Sequence, residues 1–148
     1  MRVEQTVQFK SYKRHISQMS KEEEEYIRKL IDSKEVYRFS KHLMEKSVER
    51  KIKLGTILWS IKGGYDVIEY HRKGNSHRAL IRSKQIIKGN QVCVSVDLFS
   101  GDIITAYENE VGDNHRTVDW SNYNIKSDVI TYIKFNLKKL NKIISKKY

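Results

Sequence analysis

The chain has 148 residues, 39% of them apolar and 32% charged, enough for one modest core beneath a strongly charged surface. No apolar run approaches the roughly 18 residues of a membrane span, and the opening "MRVEQTVQFKSYKRH" lacks the apolar stretch of a secretory signal. Cys93 is the single cysteine, which excludes an internal disulfide, so a reducing cytoplasm and no membrane partner are expected.

The first dozen residues alternate weakly and read as a short strand or an ordered arm. "SKEEEEYIRKLIDS" opens with a capping box, Ser20 with Glu23 three positions on, followed by an apolar stripe of Ile27, Leu30 and Ile31. "RFSKHLMEKSVERKI" has Ser40 as a second cap, and its Met44, Val48 and Ile52 recur every four residues, which predicts a helix with those positions inward. "GTILWSIKGG" reads as a short apolar helix closed by a left-handed glycine cap. The period then changes to two. "DVIEY", "HRALIRS", "NQVCVSVDLF" and "DIITAYEN" read as four strands joined by "HRKGNS", "KQIIKG" and "SGD". A C-terminal helix over 127–146 is marked by Ile130, Ile133, Leu137, Leu140 and Ile144, with Lys134, Lys138 and Lys142 on another face. No proline, repeat or linker divides the chain. The expected fold is a single α+β domain over 1–148, with N-terminal helices packed on one side of a four-stranded antiparallel sheet and a C-terminal helix added.

The 29 Lys and Arg against 18 Asp and Glu leave a net charge of +11, which points to RNA or another polyanion as partner. That charge is segregated. Residues 71–89 carry six cations (Arg72, Lys73, Arg78, Arg82, Lys84, Lys88) and no acid, and 134–148 carry six lysines and no acid. Residues 97–119 carry six acids against Arg116 alone. Arg72, Lys73, Arg78, Lys84, Lys134, Lys138 and Lys142 are therefore the candidate polyanion contacts.

Polar side chains with catalytic capacity also share faces. His42, Lys46 and Arg50 are spaced by four on one helix stripe, Arg78 and Arg82 by four on one strand face, and Thr105, Tyr107 and Asn109 by two on another. For Lys46 a solvated helix face is the simpler account. The mixture suits metal-independent RNA cleavage, which needs groups to move two protons and cations to offset charge on the phosphorane. His42 or His115 would serve the proton transfers, Arg50, Arg78 or Arg82 the phosphate, and Tyr107 a base. Asp97, Asp113, His115 and Asp119 are hard donors, but no His or Cys pair at metal-ligand spacing accompanies them. Turns and caps are the expected role of Asp113 and Asp119, and no cofactor is expected.

"FSKHLMEKSVERKI", "IEYHRKGNSHRALIRS" and "VCVSVDLFSGDIITAYENEVGDNHRTVDWSNY" together resemble the small toxin ribonucleases of the barnase–colicin–RelE superfold. The branch most similar is found in contact-dependent inhibition toxins and in phage or plasmid proteins. The resemblance spans about 39–123, leaving 1–38 as an N-terminal extension and the lysine helix outside it. It implies a site of His42, Arg50, Arg82, Thr105, Tyr107 and His115, with Asn109, Asp113, Thr117 and Asp119 beside them. It also implies metal-free endoribonuclease activity, often on tRNA, and an antitoxin or immunity partner. The alternative is a phage-type protein that keeps the scaffold, has lost the chemistry, and inhibits a host nucleic-acid enzyme through its basic surfaces.

Overall fold

A computed structural model describes residues 11–113, 120 and 123–136. The chain opens with strand β1 (Ser11–His15) and a 3-10 turn (Ile16–Gln18), then helix α1 (Lys21–Asp32), the two-residue strand β2 (Arg38–Phe39), α2 (Lys41–Arg50) and α3 (Leu54–Lys62). The meander β3 (Tyr65–Lys73), β4 (Ser76–Ser83), β5 (Gln91–Asp97) and β6 (Asp102–Asn109) follows, and residues 129–136 form a further helix, α4. The expected caps form. The Ser20 hydroxyl accepts from the Glu23 amide at 3.2 Å while the Glu23 carboxylate accepts from the Ser20 amide at 2.9 Å, and the Ser40 hydroxyl accepts from Leu43 at 3.0 Å. At the end of α3 the expected left-handed glycine is Gly64 (φ 101°), just past the C-cap Gly63, which keeps φ at −81°. A side chain at Gly63 would meet the Trp59 carbonyl at 2.8 Å.

The sheet has six strands, not four, in the order β1-β3-β4-β5-β6-β2, all pairs antiparallel except β2 with β6. The two additional strands lie at the edges. β1 is partly covered along most of its length, so its side chains lack the clean alternation of a half-buried strand, and β2 is too short for any period. Pairing with β1 also lengthens β3: Lys13 lies opposite His71, Tyr12 opposite Arg72 and Ser11 opposite Lys73, so residues expected in a loop belong to the sheet. Bulges between Val67 and Glu69 and between Ser95 and Val96 shift the register of two ladders.

One core contains Ile27 and Ile31 of α1, Leu43 of α2, Ile57 and Ile61 of α3, and Val129 and Ile133 of α4. These pack on Val67, Tyr70, Ala79, Ile81, Val92, Val94, Val96, Ile103 and Ala106 of the sheet. Thus all helices share one side. α2 departs from expectation, because Leu43 and Ser47 face inward while Met44 and Val48 are 42% and 79% exposed. This helix packs on β6, the last long strand before the sheet edge, and only a narrow stripe finds a covering layer. Ile52 reaches the core because the chain turns after Lys51, with the Ile52 amide donating to the Ser47 carbonyl at 2.9 Å.

Glu23 joins distant parts of the chain. Besides capping α1, its buried carboxylate accepts from the Val129 amide at the start of α4 at 2.9 Å and lies 3.5 Å from the Arg14 guanidinium. Arg14 in turn donates to the carbonyls of Ile125 (2.6 Å) and Ser127 (2.7 Å). Replacing Glu23 with Ala removes a cap, orphans the buried Val129 amide and takes the carboxylate from the half-buried Arg14, which keeps its carbonyl partners, so a loss of about 2–3 kcal/mol is expected. Ser20→Ala should cost only about 1 kcal/mol. Urea unfolding of the two variants checks the ranking, and equal losses would show that the α4 and Arg14 contacts contribute nothing.

Candidate functional site

The sheet face turned away from the helices carries the polar alternates of the strands. Asp66, Arg82, Cys93 and Tyr107 lie in one cross-strand row. His15, Glu69, Leu80, Ser95 and Thr105 form a second, and Lys13, His71, Arg78 and Asp97 a third. Arg78 and Arg82 share this face with Thr105 and Tyr107, and two strand spacings, roughly 10 Å, separate Arg82 from Tyr107.

Arg82 is the centre of the first row. Its guanidinium lies 3.6 Å from the Asp66 carboxylate and donates to the Asp113 carbonyl, while its Nε is buried without a partner among the described residues. Asn109 donates to the Asp113 carboxylate at 2.9 Å, and Gln91 accepts from the Gly112 amide at 2.8 Å, so the chain after β6 folds back toward β4. Between these groups burial pushes the Cys93 thiol up, against the opposing effect of side-chain hydrogen bonds with Asn109 and Tyr107 and of the nearby Arg82 charge. Burial also raises the Tyr107 hydroxyl, helped by Cys93. Both groups therefore stay protonated at neutral pH. They can donate or pack, and neither is an activated nucleophile.

The third row is cationic. His71 stands between Lys13 and Arg78, with Nε2 shielded from solvent and bonded to nothing among the described residues. Burial, reinforced by the charges of Lys13, Arg78 and Lys73, pushes its pKa down to about 4. Aromatic rings adjoin it. The Tyr123 hydroxyl donates to Glu69 at 2.7 Å, Lys13 lies 5.7 Å from the centre of the Tyr123 ring, and the Trp120 ring lies tilted 4.9 Å from Tyr123 and edge-on 5.4 Å from His15. Trp120 remains 44% exposed.

The other expected site residues are dispersed. His42 is exposed on α2, whose Leu43 belongs to the helix-side core. Arg50 donates to the Ala106 carbonyl at 2.8 Å, which ties the end of α2 to β6. His115, Thr117, Asp119, Lys138 and Lys142 lie outside the described residues. Among the basic candidates, Arg72 is engaged on the helix side, donating to Gly74 and to the Tyr132 hydroxyl with its guanidinium 5.7 Å from the Tyr12 and Tyr132 rings. Lys73 is exposed at the end of β3 and Arg78 donates to Ser76 at 2.9 Å. Lys84 lines a separate cleft of about 410 Å³ with Arg28, Lys34 and Lys62, and Lys134 lies 5.7 Å from the Tyr26 ring. Asp97 accepts from the Phe99 and Ser100 amides and from Ser76, a turn role. No group of three His, Cys, Asp or Glu side chains suited to a metal ion occurs among the described residues. His71 was missed because its segment reads as a loop in the sequence. The signal that places it on the sheet is the strand β1, more than fifty residues from its partner in sequence order.

Fold and site together define an α+β protein with a helix-covered sheet whose open face is half cationic and aromatic, half an arginine–carboxyl cluster. No family model matches the chain, and no curated protein or solved structure is significantly similar to it.

His77, on the core side, shares a 2.5 Å hydrogen bond with the Tyr70 hydroxyl and, mainly through burial, is also pushed down to about 4. Both imidazoles thus titrate lower in the folded chain than the ordinary 6.5. Their neutral forms stabilise the fold above that value, and the contribution is lost as pH falls from about 6.5 toward 4, where the unfolded chain binds protons first. Urea midpoints should therefore fall across this window, and less steeply in His71→Asn. An identical slope in the variant would mean that His71 titrates normally.

Proposed function

We propose that this protein is a ribonuclease-like RNA-binding protein that takes single-stranded RNA on the open face of its sheet. The observation that carries the reading is the Lys13–His71–Arg78 row beside the rings of Trp120 and Tyr123. Cations along a backbone track and exposed aromatic rings for base stacking are what single-stranded RNA requires. The reading also draws on the resemblance of residues 39–123 to the toxin ribonucleases.

Cleavage without metal is the reaction that suits this arrangement. His71 is uncharged at neutral pH, so its Nε2 is able to take the proton of a 2′-hydroxyl and, as an imidazolium of low pKa, to give it to the 5′-oxygen that leaves as the P–O5′ bond breaks, while Lys13 and Arg78 offset charge on the phosphorane oxygens. Because Nε2 is shielded, this step requires covering side chains to part when RNA arrives, whereas binding needs no such movement. One observation favours the second reading, a catalytically silent protein that inhibits a nucleic-acid enzyme. Arg82 is already engaged by Asp66 and Asp113, and His42 stands on the helix α2 away from the open-face rows.

Two measurements decide between them. Fluorescence anisotropy of a labelled single-stranded oligoribonucleotide should show binding whose salt slope falls by about 1.4 units when Lys13 and Arg78 are both changed to Gln. Lys134→Gln, on the helix side, should leave that slope unchanged. Total tRNA incubated with the protein in EDTA should yield 2′,3′-cyclic phosphate ends, lost in His71→Ala and retained in His42→Ala. Binding without cleavage assigns the silent reading, and the absence of both defeats the proposal.

A further inference from the structure

An apolar groove of about 710 Å³ opens at the junction of α2 and α3, away from the open sheet face. Its floor is Met44, Val48, Ile52 and Leu54, and its rim is Lys51, Lys53 and Lys88. Met44 and Val48 are the two apolar residues of α2 that face outward, so the groove leaves large aliphatic surface in water. A flexible methionine in such a groove adapts to a partner's side chains.

The rim has an unusual backbone. Lys51 (φ 58°) and Lys88 (φ 52°) are the non-glycine residues with positive φ among the described residues, and both line this groove. Each occupies a position whose local geometry favours another residue. Lys51 ends α2 in the left-handed conformation, with its amide and that of Ile52 turned back to the Ser47 carbonyl, a position where glycine is the usual choice. Lys88 is the first central residue of the two-residue turn between Ile87 and Asn90, ahead of Gly89 (φ 80°), where asparagine is favoured. A side chain with a Cβ is strained there, and lysine offers the turn no local hydrogen bond in return. What lysine does supply at both positions is a cation at the lip of an apolar floor.

We infer that this groove docks an amphipathic segment of a partner protein, with apolar side chains on Met44, Val48, Ile52 and Leu54 and carboxylates against Lys51, Lys53 and Lys88. Charge selects the occupant. Three lysines beside apolar side chains call for a segment that brings carboxylates together with its apolar residues. The concave shape suits side chains projecting at helical spacing. The inference does not depend on RNA binding, since the groove shares no residue with the open-face rows.

The test uses a fluorescein-labelled synthetic helix with leucines at i, i+3, i+4 and i+7 and glutamate elsewhere, against a control with lysine in place of glutamate. The acidic peptide should bind the full chain and the basic one should not. Val48→Glu, at an exposed position, should weaken binding at least about tenfold with no loss of melting temperature. The combined variant Lys51→Gly, Lys88→Asn should melt a few degrees higher, because both turns gain their preferred residue, and yet bind the acidic peptide about tenfold more weakly. Equal affinity of that variant and the parent overturns the proposal. So does failure of the acidic peptide to bind, a dimer in sedimentation that Val48→Glu dissociates, or tighter binding to phosphatidylserine vesicles than to the peptide.

Discussion

The Glu23 carboxylate sets the course of the chain. It closes the first turn of α1, receives the first amide of α4, and neutralises Arg14 on the edge strand β1. These contacts hold the start of α4 at the β1 edge, whereas β6, where the meander ends, lies four strands away in the sheet. The chain must cover that distance. The described residues on either end of the connection lie on the open face: Asp113 is bonded by Arg82 of β4, and Tyr123 by Glu69 of β3. The carbonyls of Ile125 and Ser127 then reach Arg14, and Val129 enters the helix layer. A buried, triply engaged carboxylate is costly to disturb, because each partner removed leaves another polar group unsatisfied.

The two sides of the sheet obey different rules. On the helix side valine, isoleucine and alanine interlock with the helices, and the buried polar groups found there, such as Tyr70 with His77, are paired. The open side is a set of ladders that carries charges of both signs. Asp66 compensates Arg82, whereas Lys13, His71, Arg78 and Lys73 concentrate positive charge at one end. Burial first, and this crowding of cations after it, keep the imidazole neutral. Arg82 has a carboxylate partner in Asp66, whereas no salt bridge among the described residues engages Lys13, Lys73 or Arg78, which makes the cationic end the better candidate to meet an anionic ligand.

Edges complete the picture. β1 and β2 cover the meander's outer strands, and Arg50 caps the Ala106 carbonyl of β6 beyond the reach of β2, which pairs only with Asp102 and Ile103. A residue suggested as part of a phosphate site thus has a structural partner. α2 lies over this margin, and its half-covered position exposes the aliphatic pair Met44 and Val48.

Local chemistry was sufficient to read much of this from the sequence. The caps at Ser20 and Ser40, the four strands of the meander, the shared face of Arg78 with Arg82, and the layering of helices on one side all follow from periods and turn residues that act over a few positions. Other features depend on pairings between distant segments, which no local pattern encodes. β1 carries no clean alternation, yet it turns His71 from a loop residue into the centre of a cationic row. The orientation of α2 was misread because a period of four fits Met44, Val48 and Ile52 as well as Leu43 and Ser47, and only the position of β6 beneath the helix selects the second stripe. His42 and Arg50 share a helix stripe in sequence, but packing sends one to solvent and the other to a backbone carbonyl. The sequence by itself determined the elements and the sign of the charge. Tertiary structure decided which charges meet, because convergence in space is set by strand order and helix rotation rather than by spacing along the chain.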